Sequence, residues 1–412
     1  MPLAERKAQH ILHEGCAFFL YILLSLMDMS TYCRNEEIME KKFVMELSVN
    51  NNFIGPQFVC FPIAAIMGEK KFHNWYYVNY MLPIIMLDGP TCLTCTIDDS
   101  FVYGSDSNVY SKIMRINSVN VEFCEQIEDI NEVLRKEIFK EYYCVLFLDF
   151  NELSCFQQYY HKKHYIHEIL FYGYDDEVKR YKCYGYLDNL YQCFEITYDE
   201  VKKSFGDAIK HIRNGSGWQE YMFITMDLVA HDKEYPYRND YFIEKLEQYI
   251  KGKMPYTLYY GHRLYMIESK ESRIAFGVNI VEVLIQYLNM LQVMTHNGTI
   301  YDQFANQQPA INMLWSFYEG MEKRLSYFVE KNGLEKILEK YVIDYRIEVV
   351  RRSKMIRMLY IKLVGKVVMG QVLDNVLVSI MDNLVEIKRR EKEILIGYLT
   401  SVSNLDVTEE VW

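Results

Sequence analysis

The sequence predicts an α+β protein, in which an antiparallel sheet with a nucleophile-bearing helix is followed by an α-helical C-terminal domain. The sheet is indicated by residues 164–189, where two runs of β-branched and aromatic residues flank the turn-prone stretch Gly173-Tyr174-Asp175-Asp176. The helical domain is indicated beyond residue 240, where Ile, Leu, Val and Met recur at helical spacing between charges. Residues 232–239 read as a polar linker between the two parts.

These patterns divide the chain into three segments. Residues 1–45 are predicted to be an N-terminal helical extension, residues 46–230 the sheet-containing domain and residues 231–412 the helical C-terminal domain. An apolar run at residues 16–27 is too short to span a bilayer, so a buried helix is expected there. The C-terminal domain could supply a self-association face, as in a homodimer, or a lid over a cleft.

Composition restricts the classes of function. Half of the 412 residues are hydrophobic and a quarter are charged, which indicates a globular protein, and no membrane partner is expected. The net charge of −11 argues against nucleic acid as the main partner. Ten cysteines at irregular spacing are typical of reduced thiols, so a cytoplasmic location is expected. No P-loop, dinucleotide-binding glycine pattern or paired metal-carboxylate motif occurs, so neither a bound cofactor nor a metal is predicted.

Cys60 is the best candidate for a nucleophile. Pro62 follows it, and because proline is favoured in the first turn of a helix, Cys60 is expected at or beside the N-cap of a short helix. The unpaired N–H groups and the dipole at such a position favour a thiolate. Cys16 lies inside a predicted helix, and Cys144 and Cys183 lie within predicted strands. Cys92 and Cys95 form a lone CxxC pair, which is weak evidence for zinc or redox chemistry.

The predicted hairpin supplies a histidine and an acid. If its turn is centred near Glu177 and Val178, His167 on the first strand faces Asp188 and Asn189 on the second, at Cβ separations of about 4.5–5.5 Å. An imidazole beside a carboxylate or an amide is the base and orienter of a nucleophilic triad. The alternative is an ordinary hairpin with polar strand ends.

A metal site is a second alternative at the start of this hairpin. His161, His164 and His167 follow one another at spacings of three, and Cys155 is nearby. In an extended segment, however, His164 points to the opposite face from the other two histidines. His164 is therefore predicted to be a surface residue at the strand entry.

The run HEILFYGYDD, which starts at His167 and is followed by a strand ending in Asp188-Asn189, resembles the N-terminal domain of the butirosin biosynthesis protein H family. The resemblance covers roughly residues 46–228 and includes the strand at residues 142–150. It implies a papain-like cysteine-protease fold with a cysteine at a helix start. Cys60, His167 and Asp188 would then form a Cys-His-Asp triad, with Asn189 as an alternative orienter.

The resemblance leaves the oxyanion donor open. Papain-like enzymes place a glutamine about six residues before the nucleophile, but this position is Ile54 here. Gln57 and Asn52 are nearby and either could donate, or the backbone N–H of Cys60 could act with another donor.

The function that the resemblance implies is an amide-forming acyltransferase of specialised-metabolite biosynthesis. An acyl group would pass from the phosphopantetheine arm of an acyl or peptidyl carrier protein to the Cys60 thiol and then to a small amine, so no ATP site is required. The alternatives are a cysteine peptidase acting on a peptide precursor and a catalytically silent binding or docking relative. Basic runs at residues 351–354 and 388–390 indicate a solvated helix face or a docking patch for an acidic carrier.

Overall fold

The computed structural model describes residues 40–49, 55, 57–79, 81, 83–88, 92–97, 113–188, 190–216, 221–229, 234–252, 273–295, 308–368 and 374–404. Both strands and helices occur up to residue 228, and helices dominate from residue 239 onward. The predicted combination of an antiparallel sheet with a helical C-terminal region is thereby confirmed. None of the described helices is both long enough and apolar enough to cross a membrane.

The strands in the described residues are antiparallel to their neighbours and are numbered in chain order: β1 (Lys42–Val44), β2 (Pro83–Asp88), β3 (Cys92–Ile97), β4 (Met114–Asn120), β5 (Tyr143–Asp149), β6 (Ile166–Asp175), β7 (Arg180–Leu187), β8 (Leu190–Thr197), β9 (Tyr221–Leu228) and β10 (Arg273–Phe276). The main sheet has seven strands in the order β4-β9-β5-β6-β7-β8, with β1 paired to β6. Every residue of β5 is buried, so β5 forms the centre of the core.

Strands β6 and β7 form the predicted hairpin. Its turn spans residues 176–179, as the count along the sequence required. Gly173, which was expected in the turn, lies instead within β6, beside a β-bulge that follows Phe171. A Cβ atom at Gly173 would lie 2.8 Å from the carbonyl oxygen of Phe43, so the close approach of β1 requires glycine at this position.

The α-helices of the described residues are also numbered in chain order: α1 (Gln57–Gly68), α2 (His73–Val78), α3 (Val121–Cys124), α4 (Ile130–Phe139), α5 (Tyr198–His211), α6 (Asn239–Lys251), α7 (Ile280–Thr295), α8 (Gln308–Asn332), α9 (Glu335–Tyr345), α10 (Arg351–Val368) and α11 (Asp374–Ser403). Helices α6 to α11 lie in the C-terminal region that the sequence predicts to be helical. Predicted structure in residues 1–39 lies outside the described residues.

The predicted domain limits differ from the packing in two places. Strand β1 belongs to the main sheet although it falls within the predicted extension. A separate three-stranded sheet has the order β10-β2-β3, and the pairing of β10 with β2 joins this part of the chain to the helical part. Arg324 of α8 reinforces this junction, because its Nε donates to the carbonyl oxygen of Asn79 at 3.0 Å and its guanidinium lies 4.8 Å from the ring centre of Tyr76.

Candidate functional site

Helix α1 holds Cys60 inside its first turn rather than at its N-cap. The helix begins at Gln57, so Cys60 is its fourth residue and Pro62 its sixth. Pro62 therefore does not mark the first helical position, and the predicted helix start was several residues too late. In the sequence, Gly55 and Pro56 precede the first residue of the helix, and neither residue type can act as a nucleophile.

The Cys60 thiol is enclosed by the protein. Its residue is only 3% exposed, and its Sγ donates to the carbonyl oxygen of Gly55 at 3.4 Å. The hydroxyl of Tyr191 on β8 donates to the same carbonyl at 2.6 Å. Burial raises the pKa of Cys60 to about 12, although hydrogen bonds with Tyr191 and Gly55 act in the opposite direction. The thiol is consequently protonated at neutral pH.

His167 lies near the start of β6, and three groups converge on its Nδ1 atom. The amide Nε2 of Gln57 is 3.2 Å away, and the backbone N–H of Glu168 donates from 3.1 Å. The Glu168 Oε2 atom is 2.7 Å away, and Glu168 itself is buried. This short distance is an electrostatic contact without hydrogen-bond alignment, because Oε2 is one of the buried oxygens that accept no hydrogen bond.

This arrangement fixes which ring nitrogen of His167 could react. An unprotonated Nδ1 accepts from Gln57 and from the Glu168 backbone, whereas a protonated Nδ1 faces the Glu168 carboxylate. Nδ1 is engaged in both cases, so Nε2 is the nitrogen that could exchange a proton with a further group. Gln57 and Cys60 are three residues apart on α1 and therefore share a helix face, which brings His167 against the turn that carries the thiol.

Asp188 occupies a turn position. Leu187 pairs with Leu190, so Asp188 lies in the tight turn that connects β7 to β8. Asp188 has a φ of 52°, the left-handed conformation that Asp tolerates better than most residues. Burial raises the pKa of Cys155 to about 12, and the charge of Asp188 adds a smaller contribution in the same direction. The predicted alternatives Asn189 and Asn52 lie outside the described residues.

The predicted opposition of His167 and Asp188 is shifted by one residue. The count from the turn holds as far as the bulge, where β6 contains one extra residue relative to β7. Beyond the bulge Leu170 pairs with Tyr184, and continuing this register places Leu187 opposite His167. The carboxylate that contacts His167 belongs instead to Glu168, its neighbour in the chain. A one-residue shift reverses the face that each side chain occupies, so this correction separates the predicted orienter from the imidazole.

A second polar cluster contains Asp149, His164 and His211. Asp149 is the last residue of β5 and is fully buried, and its Oδ1 accepts the backbone N–H groups of Asn151 and Tyr165, each at 3.1 Å. Its Oδ2 lies 2.6 Å from His164 Nδ1 and 3.9 Å from His211 Nε2. The centroids of the two imidazole rings are 3.9 Å apart, and the ring planes are tilted by 42°.

The position of His211 follows from the way α5 packs. A capping box of Thr197 and Glu200 starts the helix, whose buried positions face β5. His211 is the last residue of α5, and Ser204, near its middle, donates to the Asp149 carbonyl oxygen at 2.8 Å. The packing of α5 against β5 therefore places His211 beside the end of β5.

The sequence patterns did not predict that these three residues would meet. His164 is exposed, as predicted for a residue at the strand entry, but it is also bound to a carboxylate. A usable signal was Asp149, because an acid that ends an otherwise apolar central strand must find a partner when it is buried. The histidine-rich segment also contains turns before His164, so the argument from an extended chain did not apply.

The remaining sequence predictions concern cysteines. Cys92 and Cys95 lie in strand β3 rather than before a helix, which removes the setting of a redox motif. Six cysteines whose side chains the structure describes form no disulfide bond: Cys60, Cys124, Cys144, Cys155, Cys183 and Cys193. No protein-family model and no curated protein sequence matches this chain.

Proposed function

We propose that the sheet region is a catalytically silent relative of papain-like cysteine acyltransferases and acts as a binding or docking module. The observation that carries this proposal is the enclosed thiol of Cys60. Burial raises the pKa of this thiol to about 12, so the thiol form predominates at neutral pH. Because the thiolate is the nucleophile in acyl transfer, this environment disfavours a covalent intermediate at Cys60.

The surroundings of the helix start support the same proposal. In papain-like folds the nucleophile stands just ahead of its helix, and here Gly55 and Pro56 stand there. Asp188, the expected third member of the triad, adopts the left-handed backbone conformation of a tight turn. The position of Asp188 can therefore be explained by its role in the turn, without a catalytic role.

An amide-forming acyltransferase is the second candidate, because one specific contact favours it. Gln57 and His167 meet at 3.2 Å one helical turn before Cys60, which collects an amide donor, a base and a thiol at one junction of helix and sheet. In this candidate Glu168 would replace Asp188 as the carboxylate beside His167. The acyl donor would be the phosphopantetheine arm of a carrier protein, and a small amine would accept the acyl group.

The expected docking patch for an acidic carrier is largely neutralised within the chain. Five of the six basic residues in the two runs contact a carboxylate of this protein, in the pairs Arg352–Glu348, Lys354–Glu319, Lys388–Glu282, Arg389–Glu386 and Arg390–Glu393. Exposed pairs of this kind contribute little to stability, but they do reduce the net positive field. The pairing favours a solvated helix face over a carrier-binding patch at these residues.

A thioester challenge separates the two candidates. The protein is incubated with acyl N-acetylcysteamine thioesters, which mimic the end of the phosphopantetheine arm, and peptide mass spectrometry then measures acylation at each cysteine. We expect no acyl adduct at Cys60 above the level of the other buried cysteines. An adduct at Cys60 that an amine releases, and that His167→Ala slows, would establish the acyltransferase instead.

A further inference from the structure

The cluster of Asp149, His164 and His211 has the composition of a metal site, and it is separate from the Cys60 and His167 junction. One carboxylate oxygen and two imidazole nitrogens come from three different elements: the end of β5, the loop before β6 and the end of α5. Their ligand atoms all lie within 4.8 Å of one another. Two nitrogens and one oxygen form a donor set that suits Zn²⁺ and related divalent transition metals.

The distances require only small side-chain movements to accommodate an ion. Ligand bonds of 2.0–2.2 Å in a tetrahedral site place neighbouring donor atoms about 3.4 Å apart. The observed separations from Asp149 Oδ2 are 2.6 Å to His164 and 3.9 Å to His211, one shorter and one longer than this value. The side chains of His164 and His211 are 53% and 31% exposed, so both rings have room to adjust.

The carboxylate is anchored in the way that a ligand needs. Oδ1 of Asp149 accepts two backbone N–H groups, which fix the plane of the carboxylate and leave Oδ2 directed at the histidines. Hydrogen bonds to the atoms behind a ligand orient it and tune its affinity for metal. A fully buried carboxylate also needs a positive partner, which a divalent cation would supply.

A purely structural explanation accounts for only part of the cluster. A hydrogen bond from His164 to Asp149 would explain the contact at 2.6 Å. It gives no role to His211, whose Nε2 is at 3.9 Å and so beyond hydrogen-bond distance from Oδ2, although the ring stands beside that of His164. A shared ion would engage both rings at once.

We propose that Asp149, His164 and His211 form a binding site for one divalent transition-metal ion of the Zn²⁺ type. Asp149 Oδ2, His164 Nδ1 and His211 Nε2 are the protein ligands, and the exposed side of the histidines leaves a fourth position for water or another small ligand. The site makes no use of Cys60, so it goes beyond the proposed docking function and does not depend on it.

Titration of the full-length metal-free protein with Co²⁺, followed by competition with Zn²⁺, tests this proposal. We expect one equivalent of Co²⁺ to bind with the visible d–d absorption of a nitrogen- and oxygen-ligated ion, and Zn²⁺ to displace it. His211→Ala and His164→Ala should each weaken Zn²⁺ binding at least about tenfold. His161→Ala, at an exposed histidine in the same loop, is the matched control and should leave the affinity unchanged.

Three results would overturn the proposal. These are the absence of stoichiometric binding, unchanged affinity in His211→Ala, and a Co²⁺–thiolate charge-transfer band, which would assign the metal to cysteines. Should Asp149→Asn fail to fold, the two histidine variants still decide the question, because both side chains are partly exposed.

Discussion

His164 and His167 are three residues apart at the entrance to the same strand, yet they have different partners. His164 pairs with Asp149, a fully buried carboxylate that also accepts two backbone N–H groups. His167 contacts the side-chain amide of Gln57 and the carboxylate of Glu168, which is not aligned for a hydrogen bond. Although the sequence pointed to His167 as the functional histidine, the better-organised carboxylate belongs to His164. The partner that folding supplies, rather than the histidine itself, determines what each site can do.

The largest expected difference concerns the two carboxylates. Asp149→Ala should destabilise the protein by about 3–5 kcal/mol, because it leaves two backbone N–H groups and His164 without their acceptor. Glu168→Gln should cost less than about 1 kcal/mol, since Oε2 accepts no hydrogen bond. Urea denaturation measures both, and Asp149→Asn is the control that keeps an oxygen acceptor. Equal losses of stability in Asp149→Ala and Glu168→Gln would contradict this expected difference between the two carboxylates.

A third buried carboxyl group, Glu391 in α11, extends the comparison to a site without imidazoles. Tyr249 and Tyr345 donate their hydroxyls to its Oε1, and burial raises its pKa from 4.5 to about 7. Between these values the folded protein binds more protons than the unfolded chain, so stability falls as the pH rises. Ionisation of Glu391 should therefore lower the free energy of unfolding by roughly 3 kcal/mol between pH 4.5 and pH 7.

Glu391→Gln isolates that effect. The amide oxygen can still accept from the tyrosines but does not titrate, so the stability of the variant relative to the native protein should increase from pH 4.5 to pH 7. Denaturant unfolding of both proteins at several pH values measures this change. A constant difference would mean that Glu391 is charged in the fold throughout this range.

A smaller effect is expected from Tyr191→Phe, next to the thiol. Loss of the hydroxyl removes the hydrogen bond to the Gly55 carbonyl and should cost about 0.5–1.5 kcal/mol in urea unfolding. Because the Tyr191 hydroxyl lowers the pKa of Cys60, the variant thiol should be no more reactive than the native one. Faster alkylation in Tyr191→Phe would show instead that the hydroxyl blocks an otherwise competent nucleophile.

Local patterns predicted the hairpin and the helical C-terminal region, whereas only the family resemblance implied that α1 would lie near His167. The hairpin could be predicted because its β-branched and aromatic runs and its turn residues are contiguous in sequence. The strand register at the end of the hairpin that carries His167 could not be predicted, because no sequence pattern indicates the bulge after Phe171. Pro62 was misleading for a related reason: its preference for a first turn is statistical, and here it lies inside the helix.

The metal-like cluster depends on long-range packing. Asp149 and His211 are 62 residues apart and meet only because α5 packs along β5. A single sequence indicates that an acid ends a buried strand, but it does not reveal which later helix will cover that strand. Capping and amphipathic spacing predict where α5 begins and which face it buries, whereas the sheet order determines the neighbour of its last residue.

Alkylation of Cys60 tests most directly whether its thiol is enclosed and inactive. Limiting iodoacetamide at pH 6.5, resolved by peptide, compares each cysteine in the folded protein with the same cysteine in the urea-unfolded chain, where a thiol has a pKa of about 8.5. We expect Cys60 to react at least ~10³-fold more slowly when folded, equally in His167→Ala, while the exposed Cys193 is modified first among the described cysteines. Cys60 leading all cysteines, with His167→Ala slowing it, would contradict the silent module and restore the triad.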